Sequence, residues 1–529
     1  MELRTTSTAL PISWVQPAGP VHPCKIKCST LDNLTAPVYP SPSKFFPLKP
    51  GADPLELYQD CKRGLARCIY EHPHLAGTLL KDDTGRNSVE IRPAPFAGTT
   101  FEYRDHRDDH DIPSYEEFKD AGWPFGDGEL DGLKKLRQDD FPCSQNGDPI
   151  VAPRFNVIRG GIVLTMSITH AIGDLVQFVE FVTSWARNTC AVANARAKGQ
   201  PEPPLPRKIA AHLVDRSLLS PGVQTDVDID NLIARAARLP HLTVLDPRDP
   251  EKMGKTIENV FTKARLTDHD LASSAEDALR QLSCSVWTVP QSSVEQLRRI
   301  VHAESPQNTS LSAMDCLTAF AWQRYFIAKW APHMQGPLPV PETTRIIFAG
   351  NIRRRLTPPL SPRYMPACVD LFPATVKACE LISSSLASLA LAARTIRDTN
   401  NSWSEEAFRE MLDIAQAHPM NPGLVPAGPI DALVTDHTRA GAALYEDWGP
   451  GLGRCEAFRE PYLGRVPPHG EITFLPRRRS GAVEILFAGE AIVLERLRND
   501  KSLTTMARCQ FVMEDFIKRA AKNRCMAKL

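Results

Sequence analysis

The reading of the fold turns on residues 154–186, RFNVIRGGIVLTMSITHAIGDLVQFVEFVTSWA. Phe155 and Val157 alternate until Arg159-Gly160-Gly161 interrupts. Ile162, Leu164, Met166 and Ile168 then alternate with Val163, Thr165, Ser167 and Thr169. A period of two on both sides of paired glycines predicts a β-hairpin. His170-Ala171-Ile172-Gly173-Asp174 follows, and beyond it Leu175, Phe178, Val179, Val182, Trp185 and Ala186 share one helical face. The unit is strand, tight turn, helix, with Asp174 placed to cap the helix.

Outward from this unit, Leu55, Leu57, Tyr58, Cys61, Leu65 and Ile69 predict a helix that His72-Pro73 ends. Residues 98–148 read as loops around short elements. Residues 197–260, rich in proline and charge, read as a long connection. In the second half, Ser285–Thr288, Ile346–Ala349 and Glu484–Glu490 read as strands. Ser312–Trp330, residues 376–397 and Ala491–Asn499 read as helices, as does a segment carrying Val294, Leu297 and Ile300. The expected division is 1–215, a crossover linker 216–280, and 281–529.

Composition excludes several classes. The 529 residues carry 62 Lys+Arg against 62 Asp+Glu, so no basic excess speaks for nucleic acid or an anionic membrane. Proline is high, 46 residues or about 9%. The 13 cysteines form no CxxC pair and read as reduced thiols. Met1–Pro20 lacks a signal-peptide core, and Leu381–Ala393 is too short and too serine-rich for a membrane span. Ala527-Lys528-Leu529 matches the small-basic-leucine pattern of a peroxisomal address, with the cytoplasm as the alternative.

Two places carry chemistry. His170 and Asp174 form an H-x3-D pair at a strand-to-helix junction. An imidazole there, with an ordinary pKa of about 6.5, suits a general base. By spacing alone a buried structural histidine fits as well, and the H-x2-D of His212 and Asp215 shows how readily such spacings arise. The second place is Asp447-Trp448-Gly449-Pro450-Gly451-Leu452-Gly453, a rigid glycine loop without the spacing of a dinucleotide motif. Asp105–Asp111, with two histidines, reads as an acidic loop rather than a metal site. Arg477-Arg478-Arg479 reads as a turn, or as a contact for phosphates.

In this order these landmarks resemble the BAHD-type acyl-CoA-dependent acyltransferases, in particular their fungal branch. His170/Asp174 matches HxxxD, and Asp447-Trp448-Gly449 is similar to the start of DFGWG. Ser29–Asn33, Pro73–Gly77, Asp215–Ser217, Ser312–Trp322 and Arg353–Pro359 resemble further family segments. The chain departs at Leu175, Trp448, Pro450, Tyr364–Ala367 and Thr435-Asp436-His437. The resemblance implies two similar mixed-sheet α/β domains with a channel between them, as in chloramphenicol acetyltransferase. It implies a monomer without permanent cofactor or metal, with acyl-CoA as co-substrate and a small hydroxylated metabolite as acceptor. His170 is the implied base. Asp174, Asp447, Trp448, Gly449, Arg353 and Arg355 are implied to be structural at the active site, with the arginines pairing Asp174 and Asp447. Ser312, Asp315, Thr435 and His437 are candidate substrate or CoA contacts. The first expectation is an O-acyltransferase; an N-acyltransferase or condensing enzyme, and a non-catalytic binding member, are the alternatives.

Overall fold

The computed structural model describes residues 13–35, 38–124, 135–136, 147–221, 228–239, 241–261, 282–305, 310–331, 341–459 and 470–513. The Ala527-Lys528-Leu529 tail lies outside the described residues. Two large mixed sheets organise the chain. The first has six strands in the order Ser13–Val15, Thr99–Asp105, Val151–Ile158, Gly161–Ile168, Ser43–Pro47 and Ala457–Arg459. The second has seven, in the order Val369–Lys377, Thr343–Asn351, Ala432–Asp436, Glu471–Phe474, Val483–Glu490, Leu282–Val289 and Arg508–Val512. Each sheet mixes parallel and antiparallel neighbours. Among the described residues, no helix is long and apolar enough to cross a membrane.

The alternation in residues 161–168 sorts side chains between two cores. Ile162, Leu164, Met166 and Ile168 pack under the Pro54–Glu71 and Leu175–Ala197 helices with Leu65, Ile69, Val182 and Trp185. Val163 and Phe45 point the other way and join Cys284, Val286, Leu486 and Ala488 of the second sheet. Those second-sheet strands divide likewise, for Trp287, Ile485 and Phe487 pack under the Ala313–Trp330 helix. Every residue of Gly161–Ile168 is buried, as expected of a strand covered on both faces.

Three segments differ from their sequence reading. Residues 98–148 contain a sheet strand, Thr99–Asp105, and a helix, Tyr115–Asp120. The strand hides because Glu102, Arg104 and Asp105 interrupt its apolar residues. The connection holds two helices, Ile229–Ala236 and Pro250–Phe261, and a strand, Leu242–Val244, each too short for its period to repeat often. Residues 376–397 are not one helix: the strand runs to Lys377, and the chain turns at Ser384, at φ 55°, before Ser385 caps a new helix.

The two halves are also bolted by charge. Ala457–Arg459, from the second half, pairs with Ser43–Pro47 of the first sheet. From it Arg459 reaches Glu484 of the second sheet at 3.0 and 3.2 Å, both side chains 1% exposed. Its remaining N–H groups donate to the carbonyls of Trp123 and Gly122, among others. Burial raises the Glu484 pKa, but Arg459 and Arg478 outweigh it and hold the carboxyl below its ordinary value. Arg459→Met is expected to cost about 3 kcal/mol in denaturant unfolding, because it takes from Glu484 its buried partner and leaves only the partly exposed Arg478 at 2.7 Å, and joint replacement of Arg459 and Glu484 should recover most of that loss. The stability supplied by Glu484 is full at neutral pH and is lost as acid protonates it below the usual carboxylate range. Wild type should therefore lose more stability on acidification than the joint variant.

Candidate active site

His170 leaves the Gly161–Ile168 strand and opens a three-residue 3-10 turn, His170–Ile172. Its N–H donates to Val38 O at 2.8 Å, and its carbonyl accepts from Thr35 Oγ1 at 2.9 Å. Neither ring nitrogen is hydrogen-bonded to a described residue; Nδ1 is buried, and the residue as a whole is partly exposed. Thr169 Oγ1 caps the turn from the strand side, accepting from Ala171 N at 3.3 Å.

Asp174 caps the Leu175–Ala197 helix, accepting from Val176 N at 2.9 Å. Its carboxylate also receives Arg353 through two bonds, at 2.8 and 2.9 Å, and Cys368 N at 2.9 Å. Arg353 is 1% exposed and donates further to Tyr364 O and Pro366 O, at 2.7 and 2.9 Å. Asp174 is therefore fully engaged and turned away from proton transfer. Cys368 beside it is pushed up to about 12 by burial, against the opposing pull of Arg353, so its thiol is no nucleophile at neutral pH.

A second buried pair stands on the same turn, and the sequence reading did not identify it as a pair. Arg216 meets Asp32 at 2.7 Å and donates to Ile172 O at 2.9 Å. Asp32 also accepts from Ala367 N at 2.9 Å. The signal was present, since both residues sit in short segments quoted for the resemblance, but nothing local shows that residues 184 positions apart meet. His74 lies nearby; burial first, then Arg216, hold its imidazole well below the usual range, so it stays neutral.

Other expected site residues are placed elsewhere. Asp447 does not pair with Arg353 or Arg355. Its side chain is 49% exposed, accepts from Gly449 N at 2.9 Å, and lies 4.0 Å from Arg454, its one cationic neighbour among the described residues. A carboxylate held by its own turn and by water needs no buried arginine. Arg355 donates instead to Asn400 and lies over Phe372 and Trp403. Trp448 is buried against Trp185 and Phe46, with ring centroids 5.1 and 6.0 Å away, and Lys44 lies over it. Gly449 packs on Cys190 and Ala193, about 24 Å along the helix from the Asp174 cap at 1.5 Å per residue. The glycine loop is thus a fastener between the halves, remote from His170. Ser312 and Asp315 form a capping box at the start of Ala313–Trp330, and Asp315 is held by Arg397 at 2.8 Å. Their polar atoms serve the helix end, not an open contact. Thr435 lies in a parallel pairing with Thr473, and His437 N donates to Phe474 O at 2.9 Å; both residues are partly exposed. Arg478 is committed to Glu484 at 2.7 Å. In the acidic loop, His106 bonds to Asn156 at 3.2 Å, and no cluster suited to a metal occurs among the described residues. An open cavity of about 320 Å³, lined by Ile233, Leu242, Val244 and Met253, contains none of the site residues.

Two glycines test this geometry. Gly173 has extended backbone, but a Cβ there would lie 2.6 Å from Gln177 Oε1 and 2.7 Å from Met365 O. Gly173→Ala is expected to pry the turn from the 365 loop and lower turnover more than stability. Gly449 has φ +101°, and a Cβ would lie 3.0 Å from Ala193 Cβ. Gly449→Ala is expected to cost about 1–3 kcal/mol in thermal or denaturant unfolding while leaving the KM of the folded fraction unchanged.

Comparison with known proteins bears on the family and the fold. A model described as the Trichothecene 3-O-acetyltransferase-like N-terminal domain matches residues 38–190, and the Transferase family model matches residues 155–435, just over half of the chain. Acyltransferase easC of Emericella nidulans is 24% identical, with 92% of this chain and 95% of that protein covered. Acyltransferase BOA11 of Botryotinia fuckeliana is also 24% identical, over 84% and 89%. Among solved structures, F. graminearum TRI101 complexed with coenzyme A and deoxynivalenol superposes with a TM-score of 0.68 at 18% identity, over 92% of this chain and 100% of that one. Vinorine synthase gives 0.58 at 16% identity, over 95% and 98%. The fold is that of these two-domain transferases, and the chain belongs to the BAHD-type transferase family, with fungal acyltransferases among its relatives.

Proposed function

We propose that this protein is an acyl-CoA-dependent O-acyltransferase that moves an acyl group, acetyl in the first instance, to a hydroxyl of a small secondary metabolite, with His170 as general base. The observation that carries the reading is the state of His170: its backbone is tied at both N–H and C=O, while its ring is free of hydrogen bonds to any described residue. Buried His74 also carries an unbonded ring nitrogen, but it is closed off from solvent, whereas His170 is partly exposed. The coenzyme A complex of F. graminearum TRI101 and the acyltransferase names of the relatives support the donor and the reaction class.

In this reading His170 Nε2 takes the proton from the acceptor hydroxyl as its oxygen attacks the thioester carbonyl. The tetrahedral oxyanion collapses, the C–S bond breaks, and the imidazolium returns the proton to the departing CoA thiolate. The carboxylate four residues on takes no part in the relay, because Arg353, Val176 N and Cys368 N occupy it. Its work is to hold the turn.

His170→Ala is expected to lower kcat by roughly 10²-fold or more without loss of fold. Mass spectrometry of products from acetyl-CoA and a panel of hydroxylated metabolites and amines checks the transfer and its acceptor. Products formed only with amines would replace the oxygen acceptor; wild-type turnover by a folded His170→Ala protein would remove the base.

A further inference from the structure

We propose that Thr35 is a positioning residue for His170, and that Asp32 and Arg216 make the segment carrying it a second brace on the catalytic turn, beside the Asp174–Arg353 pair and sharing the 366–368 loop with it. The inference rests on the reading of His170 as general base. The sequence supplies the brace at its start. Ser29 and Asp32 close a capping box around the five-residue Thr30–Leu34 helix, with bonds of 2.9 and 3.0 Å. A helix this short has little stability of its own. It is held from outside, because the buried Asp32 carboxylate takes Arg216 Nη1 at 2.7 Å and Ala367 N at 2.9 Å. Thr35, the residue that ends the helix, is thereby fixed relative to the turn.

Its hydroxyl has two acceptors in reach, Asp32 O at 2.5 Å and His170 O at 2.9 Å. It has one proton. Asp32 O is already served by the Thr35 backbone N–H at 3.2 Å, whereas the other donor to His170 O is Gly173 N at 3.5 Å, beyond a normal N–H···O bond. The hydroxyl therefore makes the shorter of the two bonds at the His170 backbone carbonyl. Arg216 acts in parallel, donating to Ile172 O at 2.9 Å. The Asp174–Arg353 pair fixes the far end of the turn, and the brace fixes the peptide that aims the imidazole. A general base works only when its nitrogen stays within hydrogen-bond reach of the acceptor hydroxyl, and small displacements of a reacting group cost large factors in rate.

The experiment compares Thr35→Val, which keeps the branched shape and removes the hydroxyl, with Thr35→Ser, which keeps the hydroxyl, and runs His170→Ala beside them. Steady-state kinetics with acetyl-CoA and the accepted alcohol, together with thermal melts, are the readouts. Thr35→Val is expected to lower kcat about tenfold, with KM for acetyl-CoA within about twofold, and Thr35→Ser to restore kcat to within about twofold of wild type. If the Val protein fails to fold, Thr35→Ala against Thr35→Ser makes the same comparison. A role confined to ending the helix would move the melting temperature and leave the kcat of folded protein unchanged, and that result overturns the inference. So does a kcat loss that serine fails to rescue. His170→Ala separates the two levels: its inactivity beside an unimpaired Thr35→Val removes only the brace, whereas full activity of His170→Ala removes the base reading and the brace with it.

Discussion

Arg353 reaches from the edge loop of the second sheet to the Asp174 carboxylate and closes on it through two bonds, both partners almost wholly withdrawn from water. Withdrawing two charges is costly unless every lone pair and N–H finds a partner. Here they do: the carboxylate also caps the Leu175–Ala197 helix and accepts Cys368 N, and the guanidinium also serves the Tyr364 and Pro366 carbonyls. The pair thus fixes the position of the His170–Ile172 turn in the first half against the 353–368 loop of the second. A site assembled from both halves depends on that joint.

The other joints repeat the logic with different chemistry. Asp32–Arg216 ties the N-terminal segment and the connection to the same turn. Arg459–Glu484 ties a strand lent by the second half to the second sheet itself. The Asp447–Gly453 loop fastens by shape, with Trp448 inserted beside Trp185 and glycines where a side chain would strike Leu57 or Ala193. Between them the sheets share an apolar core, beside the core that each packs under its own helices.

The division of labour within H-x3-D follows from burial. The histidine stays partly exposed with an unbonded ring, while the aspartate is buried and fully bonded. Two residues four positions apart in a polar motif take opposite roles because a turn of 3-10 helix and an extended glycine place them on opposite sides of the peptide. Gly173 is needed for room rather than for its φ, since Gln177 and the Met365 carbonyl occupy the space a side chain would fill.

What the sequence determined by itself was whatever short-range patterns encode. The 151–168 hairpin, the helices at 54–71, 175–197 and 313–330, and the Asp174 cap follow from period, glycine and capping chemistry over a few residues. The order of short motifs along the chain carried the family. The tertiary structure alone decided which arginine meets which carboxylate. Arg353 and Arg355 are two positions apart and chemically alike, yet one is buried on Asp174 and the other lies over Phe372 and Trp403. Asp447, which the sequence offered as the second carboxylate for these arginines, proved to be half exposed on its own turn. An ion pair between residues 179 apart leaves no periodic trace. Its formation depends on which groups the packed sheets desolvate together, and that is a property of the assembled core.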